Sequence, residues 1–183
     1  MRRPSGGGVM RGDARNMANI ADRHLDLSVN PLDVLEELVS ANDWTFNRHS
    51  DSELMAIVAG RWCGYHMHFV LQREMNAMFF SCQLDLRVPD TKKTSVYELL
   101  ALVNENMWLG HFDFGSEDGA PMYRHTTPLR GAPGLSAEQL EDIVDVALVE
   151  CERFYPALQL IVWGGRSVAD ALTVARMDTV GEA

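Results

Sequence analysis

Between Trp44 and Val88 the side chains alternate. Tyr65, Met67, Phe69 and Leu71 interleave with His66, His68, Val70 and Gln72, and Phe80, Cys82, Leu84 and Leu86 interleave with Ser81, Gln83, Asp85 and Arg87. A period of two sends the two sets to opposite sides of a pleated strand. Alternation this regular belongs to an antiparallel sheet with one face packed and the other turned to water or a partner. Two earlier strands are predicted at Thr45–Arg48 and Glu53–Arg61, around a His49–Ser52 turn. In the second, Leu54, Ala56 and Val58 interleave with Met55 and Ile57, so coverage on both faces is expected.

Helical spacing brackets this run. Asn30 offers an N-cap, Pro31 a first helical residue, and Leu32, Leu35, Leu38 and Val39 an apolar stripe to about Ala41. After Pro89 and the Asp90–Lys93 loop, Thr94–Phe114 reads as a helix that stops at Gly110 and feeds into a strand. Ser95 and Glu98 suggest a capping box, and Val96, Leu99, Leu100, Val103 and Met107 form the stripe. Phe112 and Phe114 then point to one side, His111 and Asp113 to the other. A turn at Gly115–Gly119 leads to a strand from about Ala120 to Leu129.

Ser136 and Gln139 form a second capping box. Leu140, Ile143, Val144, Ala147, Leu148, Cys151 and Phe154 line one face of the helix that follows, with Glu138, Glu141, Asp145 and Glu152 outside, as expected of a solvated surface. Pro156 lacks a backbone donor, so a kink or restart is expected there. Ala157–Trp163 is apolar around its circumference, which implies deep burial or an interface. Gly164 and Gly165 stop it, and Ser167 with Asp170 opens a last helix to about Met177. Residues 1–28, with the Ser5–Gly8 run, read as a flexible tail, and residues 29–183 as one domain. The fold class is therefore α+β, a single domain with an antiparallel sheet of about five to six strands and helices packed on one face.

Charge narrows the function. The 16 basic and 26 acidic residues leave a net charge of -10, and the lysines are Lys92 and Lys93 alone. Phosphate neutralisation dominates nucleic-acid affinity, so nucleic acid is excluded as a partner, and anionic membranes for the same reason. Cys63, Cys82 and Cys151 lack CxxC spacing and suit small buried hydrophobes in a reducing compartment, Cys63 being the one expected near the surface. The N-terminus lacks the apolar core of a secretory signal, and a cytoplasmic location is expected.

His111, Asp113 and His125 are the metal candidates, because two imidazoles and a carboxylate on paired strands suit zinc or iron; a polar sheet face is the plainer reading. His66 and His68 form an HxH pair on one strand face, but no third group is assignable beside them, and a solvated sheet surface is the plainer reading. No GxSxG, HExxH or Walker pattern is present, so no catalytic residue or cofactor is assigned and the chain is expected not to be an enzyme. Trp108 and Trp163 flank glycines at element ends, where they serve as core or, with Leu160, as anchors of a partner or dimer interface.

Three stretches carry a resemblance. LVNENMWLGHFDF (Leu102–Phe114), YRHTTPLRG (Tyr123–Gly131) and ECERFYPALQLIVWGG (Glu150–Gly165) resemble the YbjN family, described as bacterial sensory transduction regulators, and the ending DTVGEA (Asp178–Ala183) is similar to its alphaproteobacterial members. The resemblance spans about Asn30 to the C-terminus. It implies a fold similar to class I type III secretion chaperones, small α+β dimers that bind unfolded protein segments. The expected function is thus a non-enzymatic, homodimeric protein-binding module. A small-ligand or metal sensor using surface histidines is the alternative.

Overall fold

The computed structural model describes residues 30–115 and 117–177. The tail expected at 1–28 and the Asp178–Ala183 ending lie outside the described residues. The element order is α1 (Pro31–Ala41), β1 (Thr45–Ser50), β2 (Glu53–Ala59), β3 (Gly64–Gln72), β4 (Ala77–Leu84), α2 (Lys93–Asn104), β5 (His111–Phe114), β6 (Pro121–Pro128), α3 (Ala137–Val162) and α4 (Val168–Met177). The six strands form one antiparallel sheet in the order β1-β2-β3-β4-β6-β5, with the helices on one face.

Alternation decides which side is core. Leu54, Ala56, Val58, Tyr65, Met67, Phe69, Leu71, Met78, Phe80, Cys82, Leu84, Phe112 and Tyr123 are buried beneath the helices. Phe112 meets both Tyr123 and Phe154 edge-on, at centroid distances of 5.8 Å each, a favoured aromatic geometry. Cys82 and Cys151 are buried, their sulfurs 3.9 Å apart, and Cys63 is half-buried. β2 departs from expectation: Met55 and Ile57 are 39% and 45% exposed, because no second layer covers that side among the described residues.

Local chemistry sets the element ends. Asn30 Oδ1 accepts the Leu32 amide at 3.0 Å while its Nδ2 donates to the Asp51 carbonyl at 2.8 Å, so one cap also ties α1 to the β1–β2 turn. The Ser136/Gln139 capping box forms as read. The Ser95/Glu98 box does not. A 3-10 turn at Asp90–Lys92 runs into α2 at Lys93, two residues before Ser95, and the Lys93–Asp90 ion pair at 2.7 Å closes that turn.

α2 also ends at Asn104 instead of running to Gly110. Gly110 has φ +63, and a Cβ there would collide with the Tyr123 hydroxyl, which donates to the Leu109 carbonyl at 2.9 Å. α3 passes through Pro156 as one 26-residue helix. Pro156 cannot donate to the Glu152 carbonyl, but the Trp62 indole N–H does so at 3.0 Å, replacing the lost partner. Glu152 itself turns inward from the expected solvent face, its Oε1 accepting the Arg61 amide at 2.6 Å. Glu138, Glu141 and Asp145 stay exposed.

Candidate functional site

The face of the sheet opposite the helices is a continuous surface whose composition follows from register. Asn47, Met55, His68, Ser81, Arg124 and His111 lie in one row across all six strands, and Thr45, Ile57, His66, Gln83, Met122 and Asp113 in the next. Glu53, Val70, Phe79 and Thr126 form a third across four of them. Met55, Ile57, Val70, Phe79 and Met122 give this face an apolar middle. Met75, 66% exposed, stands beside a depression of about 460 Å³ lined also by His68, Val70, Phe79, Met122 and Arg124.

Its carboxylates have partners close by. His68 Nε2 lies 2.7 Å from Glu53 Oε1, and Arg124 Nη1 lies 2.7 Å from Asp113 Oδ2. The Arg124 hydrogen bond, with a second from the Phe114 amide, holds the Asp113 carboxyl below the usual carboxylate range. The face carries no lysine. Aromatic, methionine and arginine side chains with few free charges are what protein-binding surfaces select, and methionine adapts to irregular partners.

One edge of the sheet is closed. On the edge strand β5, Asn104 occupies both backbone groups of Phe112, accepting from its amide at 2.7 Å and donating to its carbonyl at 2.9 Å. The Phe114 amide is taken by Asp113 Oδ1 at 2.8 Å. With these groups filled, β5 is a poor template for an added strand. On the far edge, Arg48 of β1 reaches Asp33 at 3.1 Å and Glu36 at 3.4 Å on α1, and the register slips between Arg48 and Ser50.

The metal candidates separate. His111 and Asp113 sit on the open face, where Asp113 is committed to Arg124. His125, two residues from buried Tyr123, sits on the helix side beside Leu109, Leu135, Ile143 and Val146, and burial lowers its pKa. Among the described residues no group of three or more His, Cys, Asp or Glu is placed to hold a metal ion. Phe112 is buried as expected and Phe114 half-buried. His66 and His68 share the open face as their spacing required, with His68 paired to Glu53.

Trp108 and Trp163 are not core. Trp108 is 98% exposed and Trp163 is 64% exposed; Leu160 is partly buried. With helix α2 ending at Asn104, the turn that follows lifts Trp108 off the surface. Trp163 is the last-turn cap of α3 and borders a shallow depression with Pro156, Leu160 and Val174. The apolar strip of the open face was the feature sequence reading missed. Its signal was present in Met55, Ile57, Val70 and Phe79, which occupy the polar half of the alternation without being polar.

Comparison with known proteins agrees with this architecture. The family model YbjN, described as "Putative bacterial sensory transduction regulator", matches residues 31–160. A chain of the crystal structure of the ExsC-ExsE complex shares the fold, with a TM-score of 0.54 at 17% identity, covering 77% of this chain and 98% of that one. The crystal structure of YbjN from E. coli superposes with a TM-score of 0.44 at 15% identity, covering 68% of this chain and 93% of that one. No curated protein sequence matches significantly. No helix among the described residues is long and apolar enough to cross a membrane. From the match over most of its length, the chain belongs to the YbjN family.

Proposed function

We propose that this chain is a non-enzymatic, protein-binding regulator that holds a stretch of a partner protein against the open face of its sheet. The observation that carries the reading is the uncovered apolar strip of Met55, Ile57, Val70, Phe79 and Met122, on a face whose carboxylates are already paired. The family description of a regulator and the fold shared with a chain from a two-protein complex support it. The filled edge at β5 favours contact across the face over strand addition there. Three free thiols, two of them buried, suit work in the cytoplasm.

The same proposal makes the chain a homodimer, with Trp108, Leu160 and Trp163 as the anchors of the second copy. Exposed tryptophans are characteristic interface anchors, and Leu160 and Trp163 lie at the end of α3, away from the open sheet face. Affinity capture from the source bacterium with wild-type protein and with Ile57→Glu tests the partner reading. Captured proteins lost with the variant support it; an unchanged set contradicts it. For the dimer, sedimentation of the wild type is expected at twice the chain mass, shifting toward the single chain in Trp163→Glu. A wild-type monomer removes that part of the proposal.

A further inference from the structure

On the helix side, away from the sheet, the C-terminal end of α2 and the facing stretches of α3 and α4 enclose a cleft of about 310 Å³. Leu102, Met107, Phe154 and Leu172 make its apolar wall, and Asn106 with Glu150 and Arg153, one turn apart on α3, its polar side. These two charges form an ion pair without a hydrogen bond. Arg153 Nη1 and Glu150 Oε2 stand 3.7 Å apart, beyond hydrogen-bond reach. Glu150 Oε2 and Arg153 Nε are sealed from water without a hydrogen-bond partner, and the guanidinium lies over the Phe154 ring, 5.0 Å from its centroid. Burial pushes the Glu150 carboxyl above its ordinary range, with Arg153 only opposing that shift. The sealed atoms cannot be reached from the cleft, but Glu150 Oε1 and the Arg153 Nη nitrogens stay open and make no hydrogen bond to the protein, so the pair offers an acceptor and a fork of donors to an incoming molecule.

We propose that this cleft binds a small zwitterion with an apolar tail, the simplest of that class being an apolar α-amino acid. Its ammonium donates to the open oxygen of Glu150, and its carboxylate lies against the planar fork of Arg153. The tail lies among Leu102, Met107 and Leu172. The volume is at the small end of ligand sites, which admits a single amino acid and rejects a nucleotide. Because the cleft touches three helices and no residue of the open sheet face, this inference stands apart from the docking proposal. It gives a regulator a place to sense a metabolite.

The test uses the full chain, with the methyl resonances of Met107 and Leu172 followed by NMR. L-leucine, L-methionine and L-phenylalanine are titrated beside two single-headed analogues of leucine, isoamylamine and isocaproate. At least one amino acid is expected to shift these methyls saturably, with a dissociation constant of about 1 mM or tighter, and the single-headed analogues to bind about tenfold more weakly. Glu150→Gln and Arg153→Met are expected to weaken binding about tenfold each, and Glu138→Gln, exposed on the same helix, to leave it unchanged. The analogue comparison needs no variant and stands even where a substitution unfolds the chain. Absence of a saturable shift with all three amino acids, or equal binding of the single-headed analogues, overturns the proposal.

Discussion

At Asn104, the last residue of α2, a single carboxamide seals the sheet edge by taking both backbone groups of Phe112. Asn104→Ala leaves two backbone groups without these partners, and a loss of about 1–3 kcal/mol in urea unfolding is expected; a loss under a few tenths would show that water replaces the side chain freely. Gly110→Ala must strain a positive φ and displace the Tyr123 hydroxyl, so it is expected to cost more than the roughly 1 kcal/mol typical of a left-handed site alone. His125 adds a pH dependence. Burial lowers its pKa from the ordinary 6.5, so the unfolded chain takes up the proton first as pH falls. Its contribution to stability is therefore present above about 6.5 and is lost as pH falls toward the folded value. Unfolding midpoints measured against pH should show this slope in the wild type and a flatter profile in His125→Gln. None of these roles was legible from residue type: Asn104 reads as a helix position and His125 as a ligand candidate until pairing fixes their neighbours.

At the level of elements, period and caps were legible, and breaks were not. The alternation of Tyr65–Leu71 and Phe80–Leu84 predicts the strands and their buried side, and Ser136/Gln139 predicts the start of α3. α3 does not restart at Pro156, because the consequence of a missing donor depends on what reaches the orphaned carbonyl, and Trp62 comes from 90 positions away. This yields a coupling. Trp62→Phe should cost about 1–2 kcal/mol in the wild type, since Pro156 leaves the Glu152 carbonyl no alternative partner. In a Pro156→Ala background, residue 156 regains its amide and the same change should cost measurably less. Equal costs in both backgrounds would show that Trp62 acts through packing alone. Ser95 misled for a related reason: the Asp90–Lys93 ion pair starts the helix earlier through a 3-10 turn.

Across the whole molecule, the antiparallel α+β order follows from sequence, but the site does not, because a site here is a face assembled from register. His111, Asp113 and His125 look convergent along the chain and are split between two sides of the sheet once β4, β5 and β6 pair. Conversely, Met55, Ile57, Val70, Phe79 and Met122 are scattered in sequence and share one face of the sheet. The central claim is that this face holds a partner segment, and the most direct measurement is site-specific photocrosslinking in the source bacterium. A photoreactive residue at Ile57 or Phe79 should capture a discrete partner with several-fold greater yield than one at Glu141 or Asp145 on the acidic surface of α3. Equal yields at the two surfaces, or capture only from α3, would contradict the account.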